Sequence, residues 1–351
     1  MPRIPKATLV AVVLVGLLTL NAGHANANHV ACGDVITVDT TLDADLLNCP
    51  GDGLVIGADN VTLDLGGHTI DGDGVEGLYK DGIDNTAGHD GVTIRNGAVR
   101  EFYWMAVALI ETANNHVQNL TLSGGRQGTL VLDGFGFLDS YSNRIESNVF
   151  LPGGWIRMEG SNDNLITENS DAGMYLFASR GNRIERNLVQ GFQLYESDSN
   201  HLTQNDVNGG ILVINDSDEN VIEKNLVSGG ITIGGSYRGE PGGSKRNSVL
   251  GNDVHDSSYD GIFIQGPTDN PYYPSPGAID TLVSGNTVAA NSGDGIDVRA
   301  PGTTITENTA NDNLRFGVRA VPGVIDGGGN TARGNGNSIQ CLNVACGHRA
   351  G

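Results

Sequence analysis

The stretch NRIERNLVQGFQLYESDSNHLTQNDVNGGILVINDSDENVIEKNLVSGGITI, residues 182–233, decides the fold. Three times it sets an aliphatic residue between two asparagines: Asn182-x-Ile184-x-x-Asn187, Asn200-x-Leu202-x-x-Asn205 and Asn220-x-Ile222-x-x-Asn225. Followed both ways along the chain, the second Asn of each unit or its equivalent falls at Asn148, Asn169, Asn187, Asn205, Asn225, Asn252, Asn286 and Asn308, in steps of 21, 18, 18, 20, 27, 34 and 22 residues. A period of roughly 20 with slack is that of a solenoid, whose units cannot bury an apolar face alone and must stack. Within a unit the apolar residues alternate with period two, as in NVIEKNLV (220–227), so the units are short strands and a helical solenoid is disfavoured. Asn suits the corner between strands because it tolerates the left-handed conformation, and stacked amides can hydrogen-bond from coil to coil. The asparagines therefore read as corner posts, not catalysts.

Looser units precede these: GLVIGADNVTLDLGGHTIDG (53–72), GVTIRNGAVREF (91–102) and HVQNLTLSGG (116–125). With NVTLDLGGHTIDG (60–72) as first coils and the N-x-I-x-x-N-x-V units as short repeats, the chain resembles right-handed parallel β-helix repeat proteins of the pectin-lyase-like superfamily. The fold expected is all-β, a single-stranded right-handed parallel β-helix of about a dozen coils, right-handed because of strand twist and the crossover rule.

Arg3 and Lys6, the apolar run from Leu9 to Leu20 and the small residues of Ala25-Asn26-Ala27 read as a signal peptide over residues 1–27. The run is too short to span a bilayer, which takes about 20 residues. The expected organisation is a β-helix over 28–346 with a tail at 347–351. Without residues 1–27 the charge is 18 basic minus 41 acidic groups, or −23. Such a surface repels nucleic acid and anionic lipid, and nothing predicts membrane insertion or an oligomer. The expected partner is a polysaccharide or cell-surface glycan, met by a secreted, periplasmic or surface-bound protein. Four cysteines lie as two close pairs, and an exported chain can oxidise Cys32 with Cys49 and Cys341 with Cys346.

A β-helix offers its outer strand residues and loops for function. Strands of the form G-in-out-in-out stack Arg157, Tyr175, Gln193, an apolar residue, Thr232, Phe263, Asp297 and Arg319 in one outward row, and Glu159, Phe177, Tyr195, Gln265 and Arg299 in a second. Outward aromatics at Tyr175, Phe177, Tyr195 and Phe263 suit a sugar ring laid flat. Two insertions, GGSYRGEPGGSKR (234–246) and QGPTDNPYYPSPGAID (265–280), leave the same edge and bring Tyr237, Arg238, Tyr272 and Tyr273 to a wall beside the row. Next to it Asp260, Asp294, Asp297 and Arg299 cluster, with Arg319 one coil on. Asp297, Arg299, Asp260 and Arg319 are the catalytic candidates, with Asp297 as base and Arg299 about 7 Å away along the strand. Superfamily lyases neutralise a uronate with Arg or Lys and often Ca²⁺, so the resemblance makes Ca²⁺ a possible cofactor. The family motifs are incomplete, however. GDGIDV (293–298) resembles a polygalacturonase strand without its Asp-Asp pair, RAPGTT (299–304) has Thr304 where pectate lyases carry a second Arg, and YDGI (259–262) is a fragment of an epimerase motif. The histidines fall in separate coils without metal-site spacing, and four methionines argue against copper handling of the kind served by periplasmic β-helix proteins. The favoured reading is a polysaccharide hydrolase, lyase or epimerase, and the rival is a non-catalytic β-helix that binds glycan or a partner protein.

Overall fold

The computed structural model describes residues 29–76, 80–133, 139–235, 243–268 and 275–347. Every strand ladder is parallel, and no helix occurs among the described residues. Three faces make each coil. One holds strands such as Arg183–Glu185, His201–Thr203 and Val221–Glu223. A second holds pieces as short as Asp206–Val207 and Leu226–Val227. The third holds Trp155–Glu159, Ile231–Ile233, Ile262–Ile264 and Ile296–Val298 among its strands. The architecture is the right-handed parallel β-helix that the repeat predicts.

Inward positions stack like on like. Ile166, Ile184, Leu202, Ile222 and Val249 follow one another in register, and each is fully buried. Burying one such side chain contributes about 1.5–3 kcal/mol, so the stack stabilises each coil through its neighbours.

The asparagines form two long ladders, one at each end of the first-face strand, and a shorter third one, Asn291 to Asn313 to Asn335, after the second-face strands. The backbone N–H of Asn187 donates to Asn205 Oδ1 at 3.0 Å, its Nδ2 donates to the same oxygen at 3.0 Å, and Asn205 in turn donates to Asn225 Oδ1 at 2.9 and 3.0 Å. Asn182, Asn200 and Asn220 repeat the pattern. Each amide thus satisfies a buried corner that no strand ladder reaches. The left-handed conformation expected of these asparagines belongs instead to the residue before each. Arg186, Gln204 and Lys224 have φ of 54°, 55° and 54°, and Gly251 and Gly285 take that position at 58° and 68°. The Asn side chain must point inward to join its ladder, so the turn is closed one residue earlier.

Both expected disulfides, Cys32–Cys49 and Cys341–Cys346, are present at the two ends. The described part of each insertion stacks on the other: Ile279 N–H donates to Ser244 O at 3.0 Å, and Lys245 bridges to Ile279. Tyr237, Arg238, Tyr272 and Tyr273 lie outside the described residues, as do residues 1–28.

Candidate functional site

On the third face the outward row follows the expected register: Arg157, Tyr175, Gln193, Leu212, Thr232, Phe263, Asp297 and Arg319 pair in succession. It also extends towards the N-terminus through Val131, Ala108 and Asp84 to Val55. Glu159, Phe177, Tyr195 and Ile214 make a parallel second row. Tyr175 and Tyr195 stack with ring centroids 5.5 Å apart, while the Arg299 guanidinium lies over Phe263 at 4.9 Å and covers its face. Gly125, Gln127, Trp155, Arg157, Tyr175 and Gln193 line an open hollow of about 350 Å³.

At the C-terminal end of the row the structure gathers all four catalytic candidates, in a different state from the one expected. Asp297 is 1% exposed, and its carboxylate accepts hydrogen bonds from Arg299 Nε at 2.8 Å and from Arg319 Nε and Nη2 at 3.1 and 2.6 Å. Asp297 and Arg299 alternate along the strand, but their long and short side chains bend together into an ion pair in place of the 7 Å gap. Asp294 is fully buried, and its Oδ2 lies 2.8 Å from Arg319 Nε without forming a hydrogen bond, because that N–H serves Asp297. Asp260 Oδ1 accepts the Asp294 N–H at 2.7 Å. Burial, followed by the charges of Asp297 and Asp294, pushes the Asp260 carboxyl up, and the hydrogen bond to Asp297 pushes the Arg319 guanidinium up. Asp260, Asp294 and Asp297 offer oxygens within 4.8 Å of one another, the one metal-sized convergence of acidic, His or Cys ligands among the described residues. Arg319 already serves that cluster as its cation.

An opening larger than the hollow lies at the other end of the same face. A cleft of about 720 Å³ is walled by Asp52, Asp81, Asp84, Glu111, Asp133 and Glu159 and floored by Trp104, Met105, Ile110 and Val131. Met105, Ala108, Ile110 and Val131 form an apolar cluster on the outside of the rod, separate from the core, with Trp104 against it. The cleft and the hollow share Gln127 and Arg157, so the two spaces adjoin. Arg157 is held by Glu159 and by Gln127 Oε1, the latter at 2.9 Å. Asp81 is only 4% exposed and its Oδ1 has no hydrogen-bond partner. Desolvation, aided by Asp84 and Asp52, raises its carboxyl to about 7. None of these acidic residues is among the candidates named from sequence. The available signal was the tetrapeptide Asp81-Gly82-Ile83-Asp84, which recurs as Asp294-Gly295-Ile296-Asp297.

Two family models match. One, described as Periplasmic copper-binding protein (NosD), covers residues 66–234, and the other, Right handed beta helix region, covers residues 180–345. No curated protein sequence matches the chain. Among solved structures, a mannuronic acid specific polysaccharide family 6 lyase from human gut microbiota is 14% identical over 91% of this chain and 87% of its own, with a TM-score of 0.51. The catalytic domain of a GH87 α-1,3-glucanase in complex with nigerose is 18% identical over 86% of this chain, which spans 63% of that domain, also at 0.51. The mannuronan C-5 epimerase A-module of Azotobacter vinelandii is 14% identical over 89% of this chain and 80% of its own, at 0.40. At such identities the two likenesses at 0.51 speak to the fold alone.

Copper finds no fitting donor set among the described residues. The histidine rings at 29, 68, 89, 116, 201 and 255 each meet a carboxylate on separate coils, and Met158 and Met174 point into the core. The soft and imidazole ligands that copper prefers are thus dispersed or buried. No helix of the described residues is long and apolar enough to cross a membrane. The stacked parallel coils, the two family models and the structural neighbour at 0.51 over 91% of the chain together identify the fold as a right-handed parallel β-helix.

Proposed function

We propose that this is an exported carbohydrate-active protein that lays a polysaccharide along the outer rows of its third face. The chain runs from Phe177 and Tyr195 across the hollow at Trp155 and Tyr175 into the cleft at Trp104. The observation that carries this reading is the succession along one face of a tilted aromatic pair, an open hollow and an adjoining cleft. Aromatic faces take sugar rings, and a cleft of several hundred Å³ takes a sugar unit or two. Export is supported by the expected signal peptide and by both cysteine pairs being disulfides.

The ligand end of the trough is the N-terminal cleft, and the cluster of Asp260, Asp294, Asp297, Arg299 and Arg319 serves as an ion-paired tie between coils. A base needs a lone pair within reach of substrate, and Asp297 has both oxygens engaged beneath two guanidiniums. Modification of the bound glycan then falls to the cleft carboxyl groups, where Asp81, its carboxyl raised to about 7 by desolvation, lies among other acids. The test is a panel of polysaccharides, with binding followed by tryptophan fluorescence and products by new reducing ends and unsaturated uronates. Binding that is weakened by Tyr175→Ala supports the reading, and products lost in Asp84→Asn make the protein an enzyme of this cleft. A panel in which no polysaccharide binds overturns it.

A further inference from the structure

The two Asp-Gly-Ile-Asp copies share a backbone frame. In the first, Asp52 Oδ1 accepts the Asp81 N–H at 2.9 Å; in the second, Asp260 Oδ1 accepts the Asp294 N–H at 2.7 Å. Asp84 and Asp297 occupy the same outward row. The copies differ in what faces them. The next coil sets Arg319 opposite Asp297 but Ala108 opposite Asp84, and two residues along the strand Arg299 is matched by Thr86. The first triad therefore has the carboxyl groups and lacks both guanidiniums.

We infer that the N-terminal cleft binds a protonated amine carried on a glycan, an unacetylated amino sugar, in the place that the Arg319 guanidinium holds in the C-terminal copy. The inference rests on the glycan reading above and names its substrate class. Six carboxyl groups line the cleft against one guanidinium, Arg157, which Glu159 already holds. A polyuronate entering it meets like charge, whereas an ammonium meets a focused negative field. Asp81 Oδ1, buried and without a partner, is an acceptor awaiting a donor, and leaving such a group unmatched is costly. Asp52, Asp81 and Asp84 do not converge as Asp260, Asp294 and Asp297 do, so the space suits an ammonium on a larger body over a bare metal ion. The apolar floor at Trp104, Met105, Ile110 and Val131 accepts the ring face of that body. As the amine docks, it donates to Asp81 and favours its ionised form, so a proton held by Asp81 passes to solvent.

The experiment is calorimetric titration of the folded protein, at mildly acidic pH, with a short glucosamine oligomer, the same oligomer fully N-acetylated, and oligomannuronate. The glucosamine chain is expected to bind at least about tenfold more tightly than its acetylated twin, because one charge-assisted contact is gained. Oligomannuronate is expected not to bind. Asp84→Asn and Thr86→Arg, the latter at an exposed position and supplying the missing guanidinium, are expected to erase the preference while the acetylated chain still binds. Equal affinity for the two chains, tightest binding of oligomannuronate, or a preference that survives both variants overturns the inference and leaves the glycan reading standing. Failure of all three oligosaccharides, alone or beside binding of a free polyamine, overturns the glycan reading as well.

Discussion

The same four residues, Asp-Gly-Ile-Asp, sit at 81–84 and at 294–297 on one face of one solenoid and end in opposite states. In the C-terminal copy two arginines pair with the acids and leave Asp294 and Asp297 buried beneath them. In the N-terminal copy Ala108 and Thr86 leave the acids facing a cleft. The two copies do not differ in coil length: around the closed copy Ile231, Ile262, Ile296 and Val318 are 31, 34 and 22 residues apart, and around the open one Leu54, Ile83, Val107, Leu130 and Ile156 are 29, 24, 23 and 26 apart, whereas the coils between them, from Ile156 to Ile231, repeat in steps of 18, 18, 19 and 20 residues. Regular coils spend every residue on stacking, and the longer ones towards both ends leave chain over for loops and walls, so coil length does not separate the two copies. Tetrapeptide identity thus decides little here; the neighbour one coil away decides the chemistry.

Breaking the closed copy gives the largest effect. Arg319→Ala strands buried Asp294 and leaves Asp297 with Arg299 alone, and we expect a loss of about 3–5 kcal/mol, read as a lowered unfolding midpoint in urea. A loss below about 1 kcal/mol would show that the cluster is already solvated and the contrast with the open copy is overdrawn. Removing one rung from the regular coils comes next. Asn205→Ala deprives Asn187 of its acceptor and opens a buried corner, at a cost of about 1–3 kcal/mol. The same substitution at exposed Asn208, outside the ladders, is expected to change stability by no more than about 0.5 kcal/mol.

The open copy should respond to pH with the opposite sign. The folded-state carboxyl of Asp81 is raised from 3.8 to about 7, so the folded chain binds the extra proton in that window. Its stabilising share is complete below the unfolded value and is lost as pH rises through about 7. Asp81→Asn should therefore flatten the fall in melting temperature from pH 4 to pH 7, raising stability at the upper end by about 1–3 kcal/mol and leaving the lower end unchanged. Identical melting curves for variant and parent across that range would mean that Asp81 is not desolvated. A carboxylate tied on the first face supplies the counter-case. Arg144 first, then His116, hold the Glu146 carboxyl down to about 2, so its contribution is present above 4.5 and disappears as pH falls through about 2. The side chain is partly exposed, and Glu146→Gln should cost no more than about 1 kcal/mol at neutral pH.

Solenoid class, strand faces, the outward row and both cysteine pairs were legible because they follow from local alternation and a repeat that keeps register through residues 144–233. Period two sets which side faces in, and one register error would have inverted the row. What sequence by itself could not decide was the state of the acids. Asp297 reads as an outward residue of a strand, and it is one; that it is buried and ion-paired depends on Arg319 lying 22 positions away in the next coil. Asp52, Asp81, Asp84, Glu111 and Asp133 read as scattered turn and strand residues, because the irregular coil lengths around them hide which positions stack. Alternation and side-chain polarity act over a few residues and are written in the chain. Desolvation and charge pairing act across the spacing between coils, which exists only once the chain has wound, and that is where the cleft acquired its unmatched acid.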